Sequence, residues 1–302
     1  MSRYPLRTLA GATALAMGAS MLAALPAQAA DPVEIQLLGI NDFHGRIWSS
    51  PDVQLAGRLA SKVDELREQN PNTLLLSSGD NIGASTFESF IADDNPTIDV
   101  LNAMGVNVSA VGNHEFDRGI AALLDRIPTD FGGVEDPATD LRKTDFPYLG
   151  ANVHEKGTEN PVLKEYQIIE VGGISLGFVG VVTGETATLV APSGIVGLDF
   201  GDPLAALNRV AGELSDGDDA NGEAAWSWRW CTTAPAAPTA SVIESEQTDF
   251  GNLVRGANSD VDVIFSAHTH MKYNCTIGAR PGDSGGVVRD APRSGEADDR
   301  PG

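Results

Sequence analysis

Several short apolar runs in this chain break off into clusters of polar, chemically active side chains, and that repeated pattern restricts the fold more than anything else. Glu34 to Ile40 ends at Asn41-Asp42-Phe43-His44-Gly45, and Thr73 to Leu76 leads through Ser77-Ser78 to Gly79-Asp80-Asn81. Val106 to Val111 runs into Gly112-Asn113-His114-Glu115-Phe116-Asp117, and Val261 to Phe265 leads to His268-Thr269-His270. A nearly continuous apolar run of this length reads as a strand buried on both faces. Polar groups at the carboxyl ends of such strands are where α/β folds place ligands.

The segments between the runs agree. Leu55, Leu59, Val63 and Leu66 recur at helical spacing over Leu55 to Arg67, and Asn70-Pro71-Asn72 ends that helix. Thr97 to Met104 reads as a second helix, with Pro96 at its start and Gly105 as its stop. Strand, helix and strand in alternation predict an α/β class. Phe146 to Ala151 reads as a further strand, and Tyr166 to Val171 with Ile174 to Val182, joined by Gly172-Gly173, as a hairpin.

With 302 residues, 42% of them hydrophobic, the chain has ample material for a packed core. Its 42 acidic against 20 basic side chains give a formal charge of -22, which argues against a nucleic-acid polymer as partner, since phosphate contacts need clustered Lys and Arg. Arg3 and Arg7, the apolar run Leu9 to Leu25 and the sequence Pro26-Ala27-Gln28-Ala29 predict a secretory signal peptide over residues 1–29. A location outside the cell or in its envelope follows. No other apolar run is long enough to make a transmembrane segment. Cys231 and Cys275 allow one disulfide, but none is expected, because Cys231 lies in a segment that breaks the pattern of the chain.

Of the five histidines, His44, His114, His268 and His270 sit close behind a strand end, each beside Asp, Asn or Glu. His154 lacks such company and reads as a surface residue. One such motif alone is as often structural as functional, and the conjunction is what points to a site. Mixed His, Asp and Asn donors suit zinc, manganese, iron or cobalt. Asp80, directly after a glycine, can turn both carboxylate oxygens outward and bridge two ions. Two adjacent divalent ions form the clamp used for in-line displacement at phosphorus, with water as nucleophile. Phosphoester hydrolysis is therefore the expected chemistry.

In this order the motifs Asp42-Phe43-His44, Gly79-Asp80-Asn81, Gly112-Asn113-His114-Glu115 and His268-Thr269-His270 resemble those of the calcineurin-type metallophosphoesterases. Asn41 to Gly45 together with His114 to Asp117 is similar to their secreted 5'-nucleotidase branch. The resemblance covers roughly Glu34 to Ile277. It implies a four-layer αββα sandwich, with helices outside two central sheets and two divalent metal ions at the strand ends. It implies that Asp42, His44 and His270 hold the first ion, that Asp80 bridges, and that Asn113 and His268 hold the second. His114, oriented by Asp117, would stabilise the phosphoryl oxygens and assist the leaving group. Nucleoside monophosphates or nucleotide sugars are the implied small-molecule substrates. A broader phosphodiesterase or phosphatase, or a non-catalytic metal-binding remnant, are the alternatives. Ala267 stands where a glycine often precedes the last motif.

Two segments depart from the pattern, one inside a metallophosphoesterase domain spanning 30–281 and one after it. The family supplies a further histidine from a strand end before the last motif, yet none lies between His154 and His268. Instead Ala224 to Pro238 reads AAWSWRWCTTAPAAP, without apolar periodicity. With G or C at the free codon positions, one base inserted in the codon of Ala225 lets this stretch read DVVVAVVHDGA. That is a strand ending in a histidine at the position of Thr232, so 224–238 is read as aberrant and frame-shifted. Residues 282–302, rich in Gly and charge, read as a disordered tail where the 5'-nucleotidases continue into a nucleotide-binding domain.

Overall fold

A parallel sheet built from β1 (Gln36–Ile40), β2 (Thr73–Ser77), β3 (Val106–Ala110) and β4 (Tyr148–Leu149), in that order, carries three of the polar motifs at its carboxyl edge. Parallel neighbours need crossovers, and helices supply them. α1 (Leu55–Gln69) joins β1 to β2, α2 (Phe87–Phe90) and α3 (Asn95–Ala103) join β2 to β3, and α4 (Ile120–Arg126) follows β3. Every residue of β2 is buried, as a central strand covered on both faces requires. The structure, a computed structural model, describes residues 32–48, 54–218, 220, 222–224, 226–232, 245–270, 274–277 and 286–290. The expected signal peptide lies outside the described residues. By its contacts the chain divides into Met1–Val33 and Glu34–Gly302, and only the second unit is treated below.

The second sheet holds β6 (Tyr166–Val171), β7 (Ile174–Val182), β9 (Trp226–Thr232), β10 (Val263–Ser266), β11 (Asn274–Ile277) and β12 (Gly286–Asp290), in the order β11-β12-β10-β9-β7-β6. β6 and β7 form the hairpin expected from Gly172-Gly173. A small ribbon pairs β5 (Val153–Glu155) with β8 (Leu198–Phe200). Between β7 and β10 in the chain lie α5 (Thr186–Leu189), α6 (Pro203–Glu213) and α7 (Asp249–Gly256).

Packing fixes the layers. Leu74, Leu76, Val108, Ala110 and Leu149 of the first sheet meet Leu176, Phe178 and Phe265 of the second. On the far side of the first sheet, Leu75 and Val106 join Val63 of α1, Leu101 of α3 and Leu123 of α4. On the far side of the second, Val179, Val181 and Ile264 join Leu207 and Val210 of α6 and Phe250 and Leu253 of α7. Helices, sheet, sheet and helices make the αββα sandwich that the sequence implied. The two sheets approach closely at Gly180, where an added Cβ would lie 2.5 Å from the Cβ of Leu149. Burying a Leu or Phe side chain fully contributes roughly 1.5–3 kcal/mol, so this interlocked seam is a main support of the fold.

Some expectations change. Trp226–Thr232, within the stretch read as frame-shifted, pairs in parallel with both β7 and β10, a backbone pairing that a strand in either reading frame would make. Its backbone fills a slot between two parallel neighbours, and Trp and Thr favour extended backbone, so no apolar alternation is needed. Gly286–Asp290, read as tail, pairs with β10 and β11, and Val287-Val288 gives that segment its strand character. β9 and β11 are separated by two strands, roughly 14 Å at the usual spacing, so their backbones hold Cys231 and Cys275 too far apart for a disulfide. His154 is buried, not superficial, because β5 pairs with β8 and Gly201 packs against its ring.

Asp125, buried on α4, ties down the segment that follows. Its carboxylate accepts from the Asp136 amide at 3.0 Å, from the Thr139 hydroxyl and from Lys143 Nζ at 3.0 Å. Burial pushes its pKa up, but the bonds from Thr139, Lys143 and Asp136 outweigh that and hold it below the usual aspartate value. A depressed folded-state pKa adds stability above the unfolded value of about 3.9 and loses it as pH falls through the folded value. Asp125→Asn is therefore expected to cost about 1–3 kcal/mol at pH 7 and to flatten the acid limb of the stability profile. Urea midpoints of both proteins at pH 7 and pH 3 check this.

Candidate metal centre

The strand-end motifs are zipped together by their backbones. Beyond the ladder of β1 and β2, the Asp42 amide donates to Gly79 O at 3.2 Å, His44 to Asp80 O at 3.0 Å and Gly45 to Asn81 O at 3.1 Å. Two aspartates then reach across to the other motifs. Asp80 Oδ1 accepts the His114 amide at 2.9 Å, and Asp42 Oδ1 accepts the His268 amide at 2.9 Å, which links the edges of the two sheets.

Backbone strain marks the same residues. Asp42, His44, Asp80, His268 and His270 have φ of 48°, 45°, 52°, 80° and 54°, in the left-handed region that L side chains seldom adopt. Such conformations persist only where the surroundings fix them, and they gather at functional sites. Asn113, with φ of -66°, reaches the edge in ordinary helical backbone.

Among the described residues, Asp42, His44 and His270 form a group whose potential ligand atoms all lie within 4.8 Å of one another. His270 Nε2 is 3.4 Å from Asp42 Oδ1, and the rings of His44 and His270 are 5.5 Å apart. His44 Nδ1 lies 2.8 Å from Gly83 O, so the ring donates there and leaves Nε2 with its lone pair for a ligand. Burial lowers the pKa of both His44 and His268, which keeps them in the neutral form that binds metals. Asn113 Oδ1 is buried without a hydrogen-bond partner. A buried carbonyl oxygen left without a donor is costly unless a cation takes it.

The acidic groups have the same need. Burial, then the charge of Asp42, pushes the Asp80 carboxyl up to about 7. Burial, then the charge of Asp80, pushes Glu115 up to about 8. Carboxylates crowded out of water fit a site for positive charge. Glu115 has a further task that the sequence does not announce. Its two oxygens accept the amides of Asp80 at 2.8 Å, Asn81 at 2.8 Å and Gly112 at 2.6 Å, binding the β2 and β3 loops to each other. An acid between a histidine and a phenylalanine directly behind a buried strand was the available signal. Gly112 is needed beside it, since a Cβ there would fall 2.1 Å from Asp80 Oδ1.

His114 stands at the open side of this centre, its ring edge-on to His44 at 5.0 Å. Its Nδ1 bonds Asp117 Oδ2 at 2.9 Å, and the same oxygen accepts the Ala84 amide at 3.0 Å. The hydrogen bond that His114 donates to Asp117 dominates and pushes His114 up to about 9, against the opposing effect of burial. With Nδ1 engaged, Nε2 is the atom presented to a ligand. The structure thus brings Asp42, His44 and His270 into one group and joins Asp80, His114 and His268 to it through hydrogen bonds.

Over residues 35–272 the sequence matches the family described as calcineurin-like phosphoesterase. The chain belongs to that family. Such phosphoesterases use divalent metals, and Asp42, His44 and His270 form a candidate site for one. Endonuclease YhcR of Bacillus subtilis (strain 168) is 33% identical over 261 residues, covering 82% of this chain and 20% of that protein. Cell wall protein Lmo0130 of Listeria monocytogenes is 32% identical over 280 residues, covering 83% and 35%. The 5'-nucleotidase of Vibrio cholerae is 30% identical over 186 residues, covering 60% and 31%. The chain thus spans about a fifth to a third of the length of these relatives. Among solved structures, a putative 5'-nucleotidase from Staphylococcus aureus aligns with a TM-score of 0.65 at 19% identity, covering 86% of this chain and 49% of that one. The calcineurin-like phosphoesterase YfkN from Bacillus subtilis aligns with a TM-score of 0.61 at 20% identity, covering 86% and 82%. At these identities the structural likeness is one of fold.

Proposed function

We propose that this chain hydrolyses phosphate monoesters of nucleotides, with water as nucleophile and two divalent cations as cofactors. The observation that carries this reading is the convergence of the Asp42, His44 and His270 donor atoms within 4.8 Å, on an edge where these residues, Asp80 and His268 share left-handed backbone, beside the His114–Asp117 pair. Asp42, His44 and His270 would hold one cation, Asn113 and His268 the other, with Asp80 between them. When bound, the two ions neutralise phosphoryl oxygens and acidify a water, and zinc, manganese, iron or cobalt suits these donors.

The protein's own groups supply the rest. Water gives up a proton to solvent as its oxygen bonds to phosphorus, the ester P–O bond breaks, and its electron pair stays on the departing oxygen. His114, held as imidazolium by Asp117, donates its Nε2 proton to that oxygen and releases the alcohol. Its side chain is 31% exposed, so a leaving group reaches it from solvent. A location outside the cell or in its envelope is part of the proposal, supported by the apolar N-terminal run and by a relative named as a cell wall protein. The net charge of -22 favours a small substrate over a polyanion, although one relative is named an endonuclease. Hydrolysis of adenosine 5'-monophosphate in ¹⁸O-water tests the reaction. One ¹⁸O in the released phosphate and none in adenosine is expected, and label in adenosine overturns it.

A further inference from the structure

Phe87, Phe90 and Ile91 are exposed at 69%, 58% and 61%, and the phosphoryl chemistry accounts for none of them. At spacings of three and four along the helical turn of α2 and its cap, they share one face. Large apolar side chains gathered on a surface mark a binding site more often than chance.

This face is built onto the catalytic edge. The loop before it passes over His44 and the His114–Asp117 pair, with Gly83 O bonded to His44 Nδ1 and the Ala84 amide bonded to Asp117. The Thr86 amide donates to His44 O at 3.1 Å and its hydroxyl to Gly45 O at 2.6 Å, and Phe87 is the next residue. Behind the face, Ser89 Oγ donates to buried Asp94 at 2.7 Å, whose other oxygen accepts the Gly83 amide at 3.4 Å. Arg118, the residue after Asp117, sets its guanidinium over the Phe90 ring at 5.2 Å. It also donates to Phe90 O at 2.9 Å and pairs with Asp93 at 2.6 Å. The apolar face and the proton donor are therefore parts of one rigid assembly.

The geometry points to Phe87, Phe90 and Ile91 as a platform for the flat organic body of the leaving alcohol, a nucleobase in a nucleotide substrate. This rests on the phosphoesterase reading above. With the phosphoryl group held at the cation donors, the departing oxygen lies at His114 Nε2. The alcohol it belongs to then extends outward along the Gly83–Phe87 loop. Rings stack on aromatic side chains whatever the base, so the platform selects for a base without choosing among bases.

The test compares kcat/KM for adenosine 5'-monophosphate and ribose 5-phosphate, which share the same departing primary alcohol and differ in the base. Phe87→Ala and Phe90→Ala are each expected to lower the ratio of the two values about 5- to 10-fold, the range of a lost stacking contact. Val134→Ala, which trims another exposed apolar side chain, serves as control and leaves the ratio at its wild-type value. A ratio unchanged in both Phe variants, or an equal loss on both substrates, overturns the platform while phosphate release by the wild type upholds the phosphoesterase reading. If the wild type releases phosphate from neither substrate, that reading falls and the platform with it.

Discussion

Replacing His114 with alanine is expected to lower turnover of a nucleotide monoester by roughly 10²–10⁴-fold, the usual worth of a positioned general acid. The loss should fall on kcat, because the imidazole is needed when the ester oxygen departs and charge develops on it. Metal content should be retained, since His114 stands outside the group formed by Asp42, His44 and His270. Asp117→Asn should cost less. It leaves the ring in place but removes the carboxylate whose hydrogen bond holds His114 protonated up to about 9. Steady-state kinetics with metal analysis of the same samples checks both. Unchanged turnover in His114→Ala would mean that the leaving group takes its proton elsewhere.

Asp42→Ala is expected to abolish turnover by a different route. Asp42 lies at the centre of the donor group, 3.4 Å from His270, and also accepts the His268 amide at 2.9 Å. Removing it deletes an anionic donor and releases the tie between the two sheet edges. A cation held by the native state at a hundred times its Kd stabilises by about 2.7 kcal/mol. The wild-type chain should gain stability of that order on adding a divalent ion, while Asp42→Ala gains far less. Asp42→Asn, which keeps an acceptor for His268, should fold like the wild type and still bind metal weakly. Denaturation midpoints with and without cation separate these outcomes.

The edge of each apolar run was legible because burial on both faces leaves a simple mark, an uninterrupted hydrophobic stretch that stops at polar residues. Asp42, Asp80 and Asn113 could be grouped before any coordinates, since parallel strands bring their carboxyl ends to one side, whereas His268, behind β10 of the second sheet, joined them only through the resemblance of its motif. Less could be read where pairing, not side-chain pattern, decides the structure. Trp226–Thr232 is a strand because β7 and β10 leave a backbone slot for it. His154 is buried through the pairing of β5 with β8, segments that the β6–β7 hairpin and α5 separate in the chain. Glu115 could be seen but not understood, because its partners are backbone amides of Asp80, Asn81 and Gly112, which carry no sequence signature. The face of α2 was silent for a related reason. Phe87, Phe90 and Ile91 look like core residues until their exposure is known.

The reading of the chain as a two-ion phosphoesterase is tested most directly by stripping it with a chelator, then returning metal in measured equivalents while following phosphate release from adenosine 5'-monophosphate. The account predicts no release from the stripped chain and activity that rises to a plateau as two ions bind per chain. Phosphate release that persists without metal, or two ions bound with no turnover, would contradict it.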